Sequence, residues 1–323
     1  MTSPAQASTA VSPAIPRWRR VVVYGVVALF ALWCVLGFWR DIQQIDLAPV
    51  LHGWHAVVWA TLLSLLNYAL RIARWEMYLR SLGHILPRRF VALSFMAGFA
   101  FTLSPGKLGE MMRARYYQPK GVPVSAVSGA FFVERLLDLL VMLLLAVAVL
   151  AELERYRLFL WVAVALVGGL LACVAVVPWP RVAAMLARRP HGRIVRLGQS
   201  AVNMFVSART FLSPAMLLTG LGIGLVAWGA EAIGLQLVAE VILPGHLSVP
   251  GAMGVYAIAI IVGALSFLPG GLGSTEAVMV ALLVAHGFDT PQAILLTLIC
   301  RLLTLWLAVF IGWLCVWKLR REP

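Results

Sequence analysis

From residue 21 to residue 317 the chain is a succession of apolar runs separated by short polar stretches, most of them basic. A membrane-spanning helix takes about 20 residues. Six runs are close to that length: 21–38, 56–79, 127–150, 158–177, 215–241 and 292–317. Two others behave differently. The run 90–103 holds about 14 residues, too few to cross a bilayer. It breaks at Ser104-Pro105-Gly106-Lys107-Leu108-Gly109-Glu110 and continues into Met111-Met112-Arg113-Ala114-Arg115. Basic residues flank this segment on both sides, so both of its ends favour the same membrane face. A re-entrant hairpin meets both conditions, because irregular backbone is tolerated at membrane depth where protein or a polar cavity surrounds it. The run 249–287 is interrupted in the same way, at Phe267-Leu268-Pro269-Gly270-Gly271-Leu272-Gly273-Ser274-Thr275-Glu276.

The polar positions orient this pattern. Residues 1–20 are small and polar, then basic, and read as a disordered cytoplasmic tail. The run 21–38 ends in Gly37-Phe38-Trp39-Arg40 with no small-x-small cleavage site, which predicts a retained first helix. Segment 181–213 carries Arg181, Arg188, Arg189, Arg193, Arg196 and Arg209. Ile194, Leu197, Ala201, Val202 and Phe205 recur there at helical spacing, predicting an interfacial helix on an anionic leaflet. Six crossings and two hairpins place both termini in the cytoplasm and leave only Arg40, Arg155 and Arg157 outside, as the positive-inside rule requires. The expected organisation is one transmembrane domain over 21–317, with 318–323 as a second cytoplasmic tail.

The two interrupted runs resemble each other. Ser104-Pro105-Gly106-Lys107-Leu108-Gly109-Glu110 matches Leu268-Pro269-Gly270-Gly271-Leu272-Gly273-Ser274-Thr275-Glu276, with two residues inserted before the Glu. Phe132-Val133-Glu134-Arg135-Leu136-Leu137-Asp138 likewise matches Leu298-Ile299-Cys300-Arg301-Leu302-Leu303-Thr304. The Glu-to-Arg spacing is identical, since 135 − 110 and 301 − 276 are both 25. Repeat 1 (about 50–150) and repeat 2 (about 214–317) are each a span, a hairpin broken at Pro-Gly and a span with a buried Arg. Three crossings separate the hairpins, so the expected fold is an all-α, polytopic inverted repeat, the architecture of transporters with a midplane site.

Composition narrows the function classes. The chain is 62% hydrophobic and 12% charged, about half the charged fraction of a soluble domain. That rules out a large water-exposed catalytic domain within this length. The net charge of +13 fits cytoplasmic loops against anionic lipid rather than nucleic acid. Cys34, Cys173, Cys300 and Cys315 lie in apolar runs without CxxC or His partners, so neither disulfide nor metal site is expected. Gly106-Lys107 lacks the spacing of a phosphate-binding loop, no nucleophile triad is evident, and no cofactor is expected.

The charges that remain are concentrated where lipid should be. Glu110, Glu134, Arg135, Asp138, Glu231, Glu276 and Arg301 all fall at or near membrane depth. A charge at the bilayer centre costs about 2.5–3.5 kcal/mol on insertion scales, so each needs a partner or a wet cavity. Neutralisation of Glu110 by Arg135 and of Glu276 by Arg301 is the purely structural expectation. It is compatible with function, because an Arg in such a pair can open to take a phosphate in its planar fork of donors.

Together these motifs resemble a known family. Arg71-x-x-Arg74-Trp75, the Pro105-Gly106-x-x-Gly109-Glu110 break, Glu134-Arg135-x-x-Asp138, Pro269-Gly270-Gly271-Leu272-Gly273-x-x-Glu276 and the late Arg301 are similar to the lysylphosphatidylglycerol synthase transmembrane region, a flippase-like family. The resemblance covers about residues 50–317. It implies a polytopic inner-membrane protein that moves a lipid between leaflets. Full-length synthases add a soluble transferase domain after the membrane region, so the resemblance carries over the lipid-handling part and not aminoacyl transfer.

The resulting expectation is a lipid translocase for a phosphate-bearing or polar headgroup, not an enzyme. Arg135 and Arg301 are its expected headgroup ligands, and Lys107 and Arg113 stand at the cytoplasmic mouth. Glu110, Glu134, Asp138 and Glu276 hold the arginines or carry protons, and Arg71 and Arg74 join the site through the resemblance. The alternatives are a membrane-embedded transferase using a lipid-linked donor, for which only Glu152 and Glu154 offer an acidic group, or a non-transporting partner of a lipid-synthesis complex. Expected partners are membrane lipids, a second copy of the chain and a separate lipid-synthesising enzyme.

Overall fold

The computed structural model describes residues 45–150, 154–188 and 192–321; the expected tail 1–20 and first span 21–38 lie outside them. Among the described residues the chain is helical throughout and contains no strand. The longer helices are α1 (Trp54–Ser81), α2 (Arg88–Phe99), α3 (Val124–Leu150), α4 (Glu154–Val176), α5 (Trp179–Ala187) and α6 (Arg193–Arg209). They continue with α7 (Pro214–Ile242), α8 (Val249–Leu265), α9 (Ser274–Ala285), α10 (Thr290–Arg301) and α11 (Leu307–Leu319). By length and apolarity α1, α7 and the continuous helix Thr290–Leu319 suffice to cross a membrane; Val164–Val176 with α5 adds a fourth if that pair, bent by 66°, is one span. α3 is 27 residues long but interrupts its apolar run with Glu134, Arg135 and Asp138.

Local signals explain where these helices stop. After α1 the backbone turns at Gly83 (φ 82°), and His84 N–H returns to Leu79 O at 3.0 Å, closing the helix through a left-handed glycine. Ser213 and Ser248 accept the Met216 and Gly251 N–H groups as N-caps of α7 and α8, and Asp289 with Gln292 forms a capping box on α10.

α1 and α7 pair antiparallel along their length. Gly53, just before α1, faces Val241; Ala60 faces Gly234; Asn67 Nδ2 donates to Ala227 O at 2.9 Å; and Arg74 lies beside Gly220 and Gly224. Gly234 lets the two backbones approach, the usual device of helix packing in lipid, and Gly220 and Gly224 leave room for the Arg74 side chain. Each hairpin follows the C-terminal end of one member of this pair, so the two hairpins enter from opposite ends. They then cross over. α2 of the first hairpin packs on α11 of repeat 2, where Gly312 sits against the Met96 and Ala100 backbone, and α8 of the second hairpin packs on α3 of repeat 1. The two breaks meet in the middle, with the Leu103 side chain beside Gly270.

The hairpins differ in their second arms. At about 1.5 Å per residue, the 12 residues of α2 reach far short of a bilayer thickness. Beyond the first break the chain forms a 3-10 helix over Pro105–Arg113 and one short turn of α-helix. The second break is followed by a regular helix, α9. Ser104 Oγ accepts the Gly109 N–H at 2.5 Å, and a Cβ at Gly109 would strike the Phe101 carbonyl. The expected basic segment 181–213 comprises α5 and α6, joined by the stacked rings of Trp179 and Phe205, whose centroids are 4.5 Å apart. α6 packs on α3 at Gly129, with Arg196, Leu197 and Arg209 exposed.

Candidate functional site

Three elements of repeat 1 converge on one buried cluster of charges. α1 contributes Arg71 and Arg74, three residues apart and therefore on one face. The 3-10 segment contributes Glu110 and Arg113, and α3 contributes Glu134, Arg135 and Asp138. Glu134 is the hub, within 3.4 Å of Arg71, 3.5 Å of Arg74, 3.1 Å of Arg113 and 3.1 Å of Arg135. Asp138 takes Arg74 Nη2 at 2.6 Å, Arg135 Nη2 at 3.0 Å and the Trp228 indole N–H at 3.1 Å. Four arginines against three carboxylates leave a formal charge of 4 − 3 = +1. Aromatic rings close the remaining sides. The Arg113 guanidinium lies 4.0 Å from the Trp75 ring centroid, and that of Arg71 lies 4.9 Å from Phe99 and 5.1 Å from Trp228.

The cluster is not saturated. Arg71 Nε, Arg74 Nε, and Arg113 Nε and Nη1 are buried and find no hydrogen-bond acceptor among the described residues. Arg135 differs from its neighbours in exposure, with 23% of its side chain open against 6% or less for Arg71, Arg74 and Arg113. A cationic site with unspent donors and one accessible arginine fits an anion, and a phosphate suits the planar fork of Arg.

Repeat 2 carries a simpler arrangement. Arg301 donates from Nε to Glu276 Oε1 at 2.6 Å and from Nη2 to the Gly270 carbonyl at 2.9 Å. Glu276 in turn accepts the Gly273 N–H at 2.6 Å. The break itself is wound through Gly270, Gly271 and Gly273, all at positive φ, and through Phe267 at φ 54°, a conformation unusual for a side-chain-bearing residue. Directly after Arg301 the helix widens into a π-turn over Leu302–Trp306. The Tyr68 hydroxyl of α1 donates to the Thr304 carbonyl there at 2.7 Å. Tyr68 stands one turn before Arg71, so the two charge clusters are joined through one face of α1. Beside this joint Glu231 accepts from the Tyr256 hydroxyl and lines a crevice of about 10 Å³ with Ser64, Cys300 and Thr304.

The structure thus brings Arg71, Arg74, Glu110, Arg113, Glu134, Arg135 and Asp138 together, and separately pairs Glu276 with Arg301. It differs from the sequence reading at two points. Glu110 is not the main partner of Arg135: their closest approach is 3.9 Å, and Glu110 accepts instead from the Thr102 hydroxyl at 2.8 Å. The acids of α3 itself, adjacent and one turn away, hold Arg135 first. Arg113 is 1% exposed, sealed under Trp75, Phe95 and Phe131, and does not stand at a mouth. Arg301 is the more tightly held of the two matched arginines, because Glu276, as expected, and the Gly270 carbonyl reach it from the hairpin. The Lys107 side chain lies outside those described. Tyr68, Trp228 and Tyr256 carry no charge pattern, and their parts in the site were not legible from sequence.

Known proteins bear out this membrane architecture. The family model described as the lysylphosphatidylglycerol synthase TM region matches residues 20–312. A UPF0104 membrane protein of Methanothermobacter thermautotrophicus is 23% identical over 317 residues, covering 90% of this chain and 92% of its own length. A second UPF0104 membrane protein, from Pyrococcus horikoshii, is 30% identical over 96 residues, 30% of this chain and 28% of its own. The chain is a multi-pass membrane protein and belongs to the lysylphosphatidylglycerol synthase transmembrane-region family.

Proposed function

We propose that this protein moves a phosphate-bearing or polar-headgroup lipid between the leaflets of the inner membrane, with both termini in the cytoplasm. The observation that carries this reading is the buried +1 cluster around Glu134, four arginines deep, beside the point where the two hairpin breaks meet. A headgroup phosphate entering hydrocarbon loses its water and needs a cation that replaces it. Arg135 supplies that cation by exchanging Glu134 and Asp138 for phosphate oxygens, while the other arginines keep the displaced carboxylates compensated. Arg301 takes the headgroup in the other half of the path when its tie to Glu276 opens. The work is positional and electrostatic, with no covalent step. The lipid arrives from a separate synthesising enzyme, and a second copy of the chain is a further candidate partner.

The test is leaflet exchange of a fluorescent anionic phospholipid in proteoliposomes, compared at equal amounts of folded protein. The wild type accelerates exchange over protein-free vesicles. Arg135→Gln lowers it by on the order of tenfold to a hundredfold, the weight of one or two charge-assisted hydrogen bonds. A wild type that exchanges no faster than empty vesicles overturns the proposal, and full activity in Arg135→Gln removes that residue as the headgroup ligand.

A further inference from the structure

On α3, the stripe next to the one that carries Arg135, the most exposed arginine of the cluster, borders an apolar groove. On α3, at about 100° per residue, Leu139 lies about 40° around the helix from Arg135 and one turn further along it, while Leu136 lies about 100° away on the same side. Glu134 and Asp138 lie on the opposite side of Arg135. One edge of the Arg135 stripe therefore faces the charge cluster, and the other faces α4. There Leu136 and Leu139 form one wall of a groove of about 530 Å³, whose other wall is Ala165, Leu166, Gly169 and Leu170 of α4. The groove exists because α4 is notched. Gly168 and Gly169 follow each other, and a Cβ added to either would meet nothing within 4 Å. Below the notch Val167 closes onto Leu136 and Leu143, so the groove has a floor. Ile261 of α8, in the second hairpin, packs into the same apolar cluster.

We propose that this groove is an acyl-chain slot: one hydrocarbon chain of a lipid lies between α3 and α4 while its headgroup phosphate binds Arg135. The inference rests on the lipid-translocase reading and deepens it by naming the part of the substrate that the apolar wall recognises and the side from which it enters. Two features distinguish such a slot from a surface merely wetted by bulk lipid. Its occupant is tethered to a charge on the neighbouring helix stripe, and its width is set by missing side chains rather than by long ones. The ligand class is a phospholipid or another phosphate-bearing lipid with a chain long enough to reach past Leu139. A neutral, phosphate-free lipid has no reason to prefer the slot over the surrounding bilayer.

The experiment uses the full chain in zwitterionic proteoliposomes with two photoprobes that carry the same mid-chain diazirine. One is an anionic phospholipid and the other a diacylglycerol, and crosslinks are mapped by peptide mass spectrometry. The phospholipid labels the α3 and α4 walls of the slot more than the diacylglycerol does, by on the order of tenfold, and Arg135→Gln erases the difference. Equal labelling by the two probes in the wild type marks ordinary surrounding hydrocarbon and overturns the proposal, whatever the folding of any variant. Gly169→Trp fills the notch without touching the charge cluster; it abolishes slot labelling and slows phospholipid exchange by a similar factor at unchanged thermal stability. Undiminished exchange with the slot blocked also overturns it. If the wild type shows headgroup-dependent labelling but no lipid exchange, the slot stands and the translocase reading falls. If it exchanges lipid with headgroup-indifferent labelling, the reverse holds.

Discussion

Glu134 is the residue on which the charge cluster depends. It is 1% exposed and stands within ion-pair distance of four arginines, whereas Arg71 reaches Asp138 only at 3.9 Å, and Arg113 and Arg135 reach Glu110 only at 3.7 and 3.9 Å. Neutralising it raises the buried formal charge from +1 to +2 and strands guanidinium groups that are themselves sealed from water. Breaking a buried ion pair by removing one partner typically costs about 3–5 kcal/mol. Glu134→Gln should therefore lower the thermal stability of the detergent-solubilised protein by an amount in that range. Arg113→Gln in the same chain should restore part of the loss, since Arg113 has 3.1 Å contact with Glu134 and its other carboxylate contact among the described residues is Glu110 at 3.7 Å. A double-mutant cycle with strictly additive losses would show that the two side chains do not interact. The same measurement on Glu110→Gln should give a smaller effect, because its long contacts are weaker and an amide oxygen still accepts from Thr102.

At the scale of elements, glycine separates close packing from open lipid. Gly312 of α11 and Gly222 of α7 are both helical glycines in apolar spans, and sequence context gives them the same appearance. Their surroundings are opposite. A Cβ at Gly312 would strike the Met96 and Ala100 backbone of the first hairpin, whereas a Cβ at Gly222 would meet nothing within 4 Å. Gly312→Ala should destabilise by about 1–3 kcal/mol, since backbone cannot move aside as a side-chain tip can. Gly222→Ala should stabilise by about 0.5–1 kcal/mol through helix propensity. Paired thermal melts in one detergent decide this, and equal shifts of the same sign would remove the cross-packing of α2 on α11. The π-turn after Arg301 is a feature of the same scale. It occurs in repeat 2 alone among the described spans, and the Tyr68 hydroxyl takes up a carbonyl at the widened turn.

For the whole molecule, antiparallel pairing of α1 with α7 fixes which loops share a face. The α1 end at Ser81 lies beside the start of α7, on the side of α6, while the loops around the second hairpin lie at the other end. In a chain with Cys34, Cys173, Cys300 and Cys315 replaced, single cysteines at Ser248 and Thr290 should react with an impermeant reagent from outside the cell. One at Arg196, exposed on α6, should react only after permeabilisation. Labelling of positions 290 and 196 from the same side would end the inverted arrangement.

The class of this protein, the spans 56–79, 215–241 and 292–317 and both Pro-Gly breaks were legible in the sequence, because each is written locally. Apolar run length reports the bilayer, and Pro with Gly reports a backbone that cannot continue a helix. Even one distant pair was legible, since Glu276 and Arg301 sit 2.6 Å apart as their matched spacing suggested. The same spacing misled for Glu110 and Arg135. There α3 carries two further acids beside the arginine where the last span carries Cys300 and Thr304, and local acids capture an arginine before a distant one does. The exchange of hairpin partners between repeats, the sealing of Arg113 under aromatic rings and the bond from Tyr68 to the turn after Arg301 became visible in the folded chain alone. Those contacts join residues far apart in the chain, whose pairing depends on how whole helices cross. Helix periodicity states which face of a helix is apolar or charged, but not which other face it will meet.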